Sequence, residues 1–224
     1  MTTNMKIFID SADVQEIKKY YDTGLVDGVT TNPTLIMRSG RQPTDVYREL
    51  IDHGLRDVSM EVVGDYNQML VAARELDREF GEPATIKVPC TRDGLKVCRV
   101  LSAEGIKVNV TLIFSQSQAI LASKAGATYV SPFVGRVDDN SFGGLCLVKD
   151  IANVYSKHFV ETEVLAASIR NVRDVGRAFE YGAHICTIPP SVFDKMYDHI
   201  LTEKGLALFD ADWAKICDEA KTVT

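Results

Sequence analysis

Short apolar runs alternate with amphipathic segments along the whole chain. Eight runs rich in β-branched residues predict strands, at 6–11, 27–32, 58–63, 85–89, 108–114, 129–134, 164–169 and 185–188. Segments with apolar residues at helical spacing predict helices at 13–21, 43–53, 66–80, 93–103, 116–125 (capped by Ser115), 145–155 and 172–181. A further helix is expected after Pro190, with Ser191 as its N-cap, and 210–221 predicts a last one. Loops are expected at 38–42 and, with glycine, after the sixth strand.

The strands read as continuous apolar runs, which is typical of parallel strands that are covered on both faces. About eight strand–helix units follow one another without a linker rich in Gly, Ser or Pro. This pattern favours an α/β fold, a single (β/α)8 TIM barrel domain over 1–224, with 210–221 as an extra C-terminal helix. An open, doubly wound sheet is the alternative. It is less favoured because no glycine-rich dinucleotide fingerprint follows any strand.

Composition narrows the classes of partner. The 224 residues are 46% hydrophobic, which suits one barrel of ordinary size. A net charge of −6 disfavours nonspecific binding to nucleic acid or to acidic membranes, although a local basic pocket could still hold a phosphate. No apolar run approaches the roughly 20 residues of a membrane span. The five cysteines form no Cys-x-x-Cys pair and the four histidines are scattered, so we expect free thiols in a reducing cytoplasm and no metal site.

A lysine stands in the middle of one apolar run. Lys87 is flanked by Ile86 and Val88, and Pro89 closes the run. Burial disfavours the charged form of a lysine, so such a side chain is a candidate nucleophile in its neutral form. The alternative is a lysine at a strand end whose ammonium group extends to solvent along its aliphatic stem.

Further polar residues lie in or just after the apolar runs. In a barrel, the carboxyl ends of the strands form the active site, so these residues would meet there. They are Asp10, Thr30, Asn32, Glu61, Asn109, Thr111, Ser131, Arg136, Ser168 and Arg170. Any one alone is more often structural; Asn109 and Thr111, for example, could satisfy backbone groups. Together with Lys87, however, Asp10 and Glu61 form a charged trio that is costly inside an apolar barrel unless pairing or function maintains it.

Two arginines follow neighbouring strands. With Ser168, Arg136 and Arg170 would form a cationic corner suited to a phosphate group, although both arginines could equally form surface ion pairs. An amine, two carboxylates, neutral hydrogen-bonding groups and a phosphate corner suit Schiff-base chemistry on a phosphorylated carbonyl compound.

Seven segments of the chain carry a family resemblance. They are FIDSA at 8–12, GVTTNPTLI at 28–36, IKVP at 86–89, NVTLIFS at 109–115, SPFVGR at 131–136, LAASIRN at 165–171 and IPP at 188–190. In this order they resemble the transaldolase family, in the short form that also includes fructose 6-phosphate aldolase. The resemblance implies a barrel enzyme that moves a dihydroxyacetone unit between sugar phosphates without a cofactor.

The resemblance also implies roles for particular residues. Lys87 would form the Schiff base with the ketose carbonyl, and Asp10 would take and return the proton of the C4 hydroxyl. Glu61 and Thr111 would hold a catalytic water. The hydroxyls of the dihydroxyacetone unit would be bound by Asn32, Asn109 and Ser131. The phosphate would be bound by Arg136, Ser168 and Arg170, and the pocket would be lined by Thr30 and Phe133.

Two positions separate the branches of the family. The aldolase branch typically has Gln at the position of Glu61 and Tyr at the position of Phe133, so both residues resemble transaldolase. A fructose 6-phosphate aldolase that releases free dihydroxyacetone is the alternative, and a barrel that binds sugar phosphates without catalysis is a third. Compact family members form decamers of two pentamer rings, which implies a homo-oligomer with 210–221 reaching a neighbouring subunit.

Overall fold

Eight parallel strands close into a barrel in the computed structural model, which describes residues 5–222 and, for side chains, residues 5–218. The strands are β1 Lys6–Asp10, β2 Gly28–Thr30, β3 Val58–Glu61, β4 Ala84–Pro89, β5 Val108–Ile113, β6 Tyr129–Pro132, β7 Glu163–Ala166 and β8 Ile185–Ile188. Each pairs with its neighbour in sequence, and β8 pairs with β1. The closed barrel is therefore confirmed over the open sheet.

Eleven helices alternate with these strands within the described part of the chain. They are α1 Val14–Tyr21, α2 Pro33–Ser39, α3 Pro43–Asp52, α4 Tyr66–Phe80, α5 Arg92–Ala103, α6 Gln116–Lys124, α7 Val134–Asp139, α8 Gly144–Lys157, α9 Val172–Glu180, α10 Pro190–Lys195 and α11 Ile200–Thr222. Side-chain oxygens satisfy the free backbone N–H groups at several helix starts. Asp65 and Gln68 form a capping box at α4, and Ser115 accepts from the backbone of Gln118, which confirms the predicted cap of α6.

Two short helices are absent from the sequence prediction. α2 has seven residues and α7 has six, which is too short for a helical period of apolar residues to be recognised. Two residues separate β2 from α2, which has Asn32 as its N-cap and Pro33 in its first turn. α7 occupies the segment predicted as a loop after the sixth strand. Because β6 ends at Pro132, Phe133 and Arg136 do not lie on a strand.

The two last helices begin earlier than predicted. α10 has Pro189 as its N-cap, so Ser191 lies inside the helix. α11 begins at Ile200 and not at residue 210, because the His199 ring accepts a hydrogen bond from the backbone N–H of Leu201 at 3.2 Å and so caps the helix. Gly205, which costs about 1 kcal/mol relative to alanine in a helix, hides this first half from the sequence pattern. Within residues 5–222 no helix is long and apolar enough to cross a membrane.

Buried apolar side chains form one layer between the strands and the helices and a smaller cluster that includes Phe8, Tyr129, Leu165 and Ile185. Gly28 makes room for this cluster, since a Cβ atom there would lie 2.8 Å from the Phe8 ring. Fully burying side chains of this size contributes about 1.5–3 kcal/mol each. The filled interior gives the carboxyl ends of the strands a solid floor.

A second polar group lies among the amino-terminal ends of the strands. The carboxylate of Asp57, just before β3, accepts hydrogen bonds from Tyr129 Oη at 2.6 Å and Thr85 Oγ1 at 2.8 Å, and Lys107 Nζ lies 3.7 Å away. Burial raises the pKa of Asp57, against the opposing effect of Lys107. A buried carboxylate is therefore not by itself a catalytic candidate, because Asp57 has its hydrogen-bond partners within the protein.

Candidate active site

A polar cavity of about 290 Å³ opens at the carboxyl ends of the strands. Its volume is near the lower end of ligand-binding pockets, roughly 300 Å³. The residues from the sequence prediction that line it are Asp10, Thr30, Asn32, Glu61, Lys87, Thr111, Ser131, Phe133, Arg136 and Ser168. Asn109 and Arg170 do not line it. Pro33, Thr34, Leu112, Ala167 and Thr187 line it as well, and the sequence reasoning did not select them.

Lys87 is held at the floor of this cavity. β4 pairs with β3 so that Lys87 lies beside Glu61 in register. The ammonium nitrogen lies 2.9 Å from Glu61 Oε2 and donates to the Thr31 carbonyl oxygen, also at 2.9 Å. Lys87 is 5% exposed, so it does not extend to solvent. Its amine can therefore exchange a proton with Glu61 directly.

Asp10 is the second carboxylate of the cavity. It lies beside Thr30 in the register of β1 with β2, and Thr30 Oγ1 donates to Asp10 Oδ1 at 2.8 Å. Thr30 Oγ1 also lies 2.6 Å from Oγ1 of Thr187 on β8. Burial raises the pKa of Asp10, and the positive charge of Lys87 and the hydrogen bond from Thr30 oppose this effect. Asp10 is thus a carboxyl group suited to accepting a proton and releasing it again.

Thr111 carries an unpaired hydroxyl. Its Oγ1 is buried and has no hydrogen-bond partner among the described residues. The next residue, Leu112, has φ 59°, where the register of β5 with β6 shifts between Val110 and Ile113. A leucine in the left-handed region is a local strain of the kind that clusters at functional sites. The bulge turns this part of β5 toward the cavity that Thr111 and Leu112 line.

Asn109 lies below the cavity and is fully buried. Its amide nitrogen donates to Ser59 Oγ at 3.2 Å, and its amide oxygen accepts from Ser131 Oγ at 2.7 Å. Ser131 lines the cavity and Asn109 does not. Asn109 therefore contacts the site through Ser131 in this structure.

The predicted phosphate corner is divided. Arg136 lines the cavity with Ser168, and its guanidinium lies 4.9 Å from the centroid of the Phe133 ring. Arg170 instead forms an exposed ion pair with Asp139 at the end of α7. The surface ion pair that the sequence left open as an alternative therefore applies to Arg170. Gly135 brings the two segments together, because its backbone N–H donates to the Ser168 carbonyl at 3.1 Å and a Cβ there would lie 2.7 Å from Arg170 Nε.

Thr34 and Thr187 are the two polar lining residues outside the sequence prediction, and the sequence could have supplied Thr187. It stands in an apolar run just before the Ile-Pro-Pro segment, so the rule that selected the other strand-end residues applies to it too. Leu112 and Ala167 carry no such signal, because they are apolar and enter the lining through the local backbone. Among the side chains that the structure describes, residues 5–218, no three His, Cys, Asp or Glu are grouped to hold a metal ion.

The fold and this cavity define a (β/α)8-barrel protein with a polar site at the carboxyl ends of its strands, the usual active-site position in barrel enzymes. The family model for transaldolase/fructose-6-phosphate aldolase matches residues 7–222, and the chain belongs to this family. It is 51% identical over 212 residues to a probable transaldolase of Cereibacter sphaeroides, covering 94% of this chain and 96% of that one. A probable transaldolase of Paracoccus denitrificans is 49% identical over 211 residues, covering 94% and 97%. These relatives support a transaldolase-type enzyme.

Proposed function

We propose that the protein is a transaldolase that transfers a dihydroxyacetone unit from sedoheptulose 7-phosphate or fructose 6-phosphate to an aldose phosphate, as in the pentose phosphate pathway. The observation that carries the proposal is the buried amine of Lys87, bonded to Glu61 in a cavity that also contains Asp10. A lysine amine beside a carboxylate can form a Schiff base with a ketose carbonyl. Bond cleavage and proton transfer are then completed without a cofactor.

The first step is the activation of the amine. An ammonium group cannot attack a carbonyl, so Lys87 transfers one proton to Glu61 across their 2.9 Å contact. The neutral amine adds to the ketose C2 carbonyl to give a carbinolamine. Glu61 returns the proton to the departing hydroxyl, and water leaves as the imine forms. The unpaired hydroxyl of Thr111 supports a role in holding that water with Glu61, since a buried hydroxyl without a partner costs about 1–3 kcal/mol.

The second step breaks the C3–C4 bond. Asp10 takes the proton of the C4 hydroxyl, the C4 oxygen forms the aldehyde carbonyl, and the electron pair of the bond moves to the protonated imine nitrogen. An enamine of dihydroxyacetone remains on Lys87. In the transfer step the enamine attacks the acceptor aldehyde, and Asp10 returns its proton to the new hydroxyl. Water then adds to the product imine, and the ketose leaves as the Lys87 ammonium group is restored. The hydrogen bond from Thr30 holds the Asp10 carboxylate in one orientation for both events.

Phe133 favours transfer over release. Free dihydroxyacetone forms only when the enamine carbon receives a proton, which requires a donor beside it. Phe133 lines the cavity and has no hydroxyl, whereas a tyrosine there could donate one. The enamine is therefore expected to wait for an acceptor aldehyde. The fructose 6-phosphate aldolase remains the second candidate function.

An acceptor assay tests this proposal. Purified protein is given fructose 6-phosphate with and without erythrose 4-phosphate, and glyceraldehyde 3-phosphate and free dihydroxyacetone are both measured. We expect turnover with the acceptor, and without it no more than about one glyceraldehyde 3-phosphate per site. Phe133→Tyr should release dihydroxyacetone without an acceptor, at a rate on the order of 10-fold above the parent. Rapid release of dihydroxyacetone by the unchanged protein contradicts transaldolase and supports the aldolase.

The hydroxyls of the dihydroxyacetone unit have polar partners near Lys87. Asn32 uses its amide oxygen to cap α2, accepting from the backbone of Leu35 at 3.0 Å, which leaves its amide nitrogen as a donor for the substrate. The Ser131 hydroxyl can accept from a substrate hydroxyl while it donates to Asn109. Asn109 itself would have to exchange its bond with Ser59 or Ser131 to bind substrate directly.

The phosphate binds to Arg136 and Ser168 in this proposal, with Arg170 joining after it leaves Asp139. Arg136→Gln should raise KM for glyceraldehyde 3-phosphate about 10- to 100-fold, since charge-assisted hydrogen bonds contribute about 1.5–3 kcal/mol. Arg170→Gln should raise this KM less, because the Arg170 guanidinium must first leave the Asp139 carboxylate before it can bind the phosphate. Unphosphorylated glyceraldehyde is the matched control substrate. Equal losses on both aldehydes for Arg136→Gln, or a larger effect of Arg170→Gln, would count against this assignment.

A homo-oligomer is proposed through α11. Every residue from 200 to 218 is exposed in the single chain, except Gly205 and Cys217, which are half-buried. The exposed side chains include Leu206, Phe209 and Trp213, whose spacing places them along one face of the helix. An apolar helical face of this kind supports packing on a second copy of the chain, as the decamer of two pentamer rings requires. Light scattering tests this proposal by measuring the mass of the protein in solution. An oligomer is expected, and a monomer at micromolar concentration excludes the proposal.

A further inference from the structure

We propose that Thr187 is a positioning residue that allows the Thr30 hydroxyl to pair with Asp10 in both protonation states of the carboxyl group. The inference rests on the proposed role of Asp10 as the group that takes and returns a proton. It assigns to β8 a part in proton transfer, although Thr187 is not placed to touch the reacting bond in this account. The observation behind it is a chain of hydrogen bonds that joins the Asp10 carboxyl group to the hydroxyls of Thr30 and Thr187.

The contacts define a chain of two hydrogen bonds. Thr30 Oγ1 lies 2.8 Å from Asp10 Oδ1 and 2.6 Å from Thr187 Oγ1. Both threonines are buried, at 2% and 3% exposure. Each hydroxyl has one proton to donate. An ionised carboxylate only accepts, so Thr30 must then donate to Asp10, and Thr187 must donate to Thr30.

The direction of this chain reverses when Asp10 takes a proton. A protonated carboxyl group that faces Thr30 donates to it, so the Thr30 hydroxyl turns its own proton toward Thr187. Thr187 now accepts, and because it lines the cavity its own proton can turn toward the bound sugar. One proton enters at Asp10 and leaves from Asp10, and the two hydroxyls only rotate. Thr187 thus keeps Thr30 satisfied before and after the proton transfer.

Loss of the Thr187 hydroxyl has a defined sign. Without it, the ionised state keeps the donation from Thr30 to Asp10 and loses only the bond that Thr30 accepts, whereas in the protonated state the Thr30 proton loses its acceptor in the buried chain. The protonated form of Asp10 is therefore disfavoured, so its pKa falls relative to the unchanged protein. Since Asp10 must hold the C4 proton after bond cleavage, kcat should fall as well, on the order of 10-fold.

Other charges act on Asp10 from the surrounding elements. Lys87 on β4 and Arg136 on α7 lower the pKa of Asp10, whereas Glu61 on β3 raises it. None of these residues changes when Thr187 is substituted. A difference between two variants at position 187 therefore reports the hydroxyl and not the neighbouring charges.

Thr187→Val removes the hydroxyl at nearly constant volume, and Thr187→Ser retains it as the matched control. Asp10 is titrated in the full-length protein by the infrared carboxyl band of ¹³C-aspartate, with Asp10→Asn as the reference spectrum. The pH dependence of kcat/KM for fructose 6-phosphate with erythrose 4-phosphate is measured in parallel. We expect a lower pKa for Asp10 in Thr187→Val, an acidic limb moved to lower pH and the lower kcat, while Thr187→Ser resembles the parent.

The inference is overturned if Thr187→Val titrates like the parent, even where its melting temperature is lower, because a purely structural role moves stability alone. If Thr187→Val does not fold, Thr187→Ala takes its place with the same expected shift. Failure of the proposed function is a separate result. The infrared titration tests the role of Thr187 and needs no turnover. The transaldolase proposal is contradicted instead if the unchanged protein shows no acceptor-dependent transfer.

Discussion

Lys87→Met is expected to lower kcat/KM for dihydroxyacetone transfer by on the order of 10⁴-fold or more, the range seen when a covalent nucleophile is removed. Methionine preserves the length of the side chain and cannot form a Schiff base. Among the described residues no other lysine lines this cavity, so no replacement nucleophile is expected. The measurement is a coupled assay of glyceraldehyde 3-phosphate release with erythrose 4-phosphate as acceptor.

A stability effect must be separated from this loss. Lys87→Met leaves the Glu61 carboxylate, 14% exposed, without its partner, and breaking a buried pair in this way costs about 3–5 kcal/mol. The double variant Lys87→Met with Glu61→Gln removes both charges and should recover much of the free energy of unfolding without recovering activity. Lys18→Met, which breaks a surface pair with Glu49, is the control and should retain activity. Retention of a hundredth of the activity by Lys87→Met would contradict the account.

Asp10→Asn is expected to lower kcat by about 10²- to 10⁴-fold, the usual contribution of a general acid–base group. The amide cannot accept the C4 proton, so the C3–C4 bond should remain intact. Schiff-base formation should persist, because Lys87 and Glu61 are unchanged. Reduction with borohydride in the presence of fructose 6-phosphate should therefore trap the whole six-carbon ketose on the protein.

The pH dependence of Asp10 follows from its burial. Its pKa in the folded protein is raised, so the carboxylate needed for proton acceptance is lost at a higher pH than for an ordinary aspartate as pH falls. Burial of Asp10 also affects the free energy of unfolding, because folding disfavours the ionised carboxylate. This destabilisation is complete at pH values above the raised pKa of the folded protein, and it is absent at pH values below the ordinary pKa of an aspartate. Asp10→Asn should thus be at least as stable as the parent at neutral pH, with the difference vanishing in acid.

A buried carboxyl at the other end of the barrel supplies the control for this variant. Asp57 also has a pKa raised by burial, but it lies among the amino-terminal strand ends with Tyr129 and Thr85. Asp57→Asn should change the free energy of unfolding and leave kcat within about threefold of the parent. If Asp10→Asn and Asp57→Asn lose kcat equally, the loss reflects general damage to the barrel and not proton transfer.

The central residues of the site could be predicted because a charge inside an apolar run is costly. Lys87 and Asp10 each stand in a buried strand, and the barrel rule places the carboxyl ends of all strands at one face. The register then pairs Glu61 with Lys87 and Asp10 with Thr30, which the pattern implies only approximately. Alternation along a strand indicates the face that a residue occupies, whereas its partner depends on the stagger of the barrel.

Other features could not be read from the hydrophobic pattern of the sequence. Arg170 pairs with Asp139, which lies 31 residues away on a helix that the sequence did not reveal. Leu112 enters the site through a bulge and a left-handed backbone, neither of which its side chain requires. The sequence pattern predicts only the second half of α11, because Gly205 weakens the helical signal and His199 is not a common cap. A tertiary contact decides the position of Arg170, whereas the local backbone and an uncommon cap decide the other two features.

A Schiff base at Lys87 is tested by borohydride reduction of the unchanged protein with fructose 6-phosphate, followed by tryptic peptide mapping. A reduced Schiff base blocks cleavage after Lys87, so a modified peptide spanning 79–92 is expected, in which Lys87 is the only lysine. The adduct should contain the three-carbon dihydroxyacetone unit. An adduct on a different lysine, or no adduct in protein that is active in transfer, would contradict a Schiff base at Lys87.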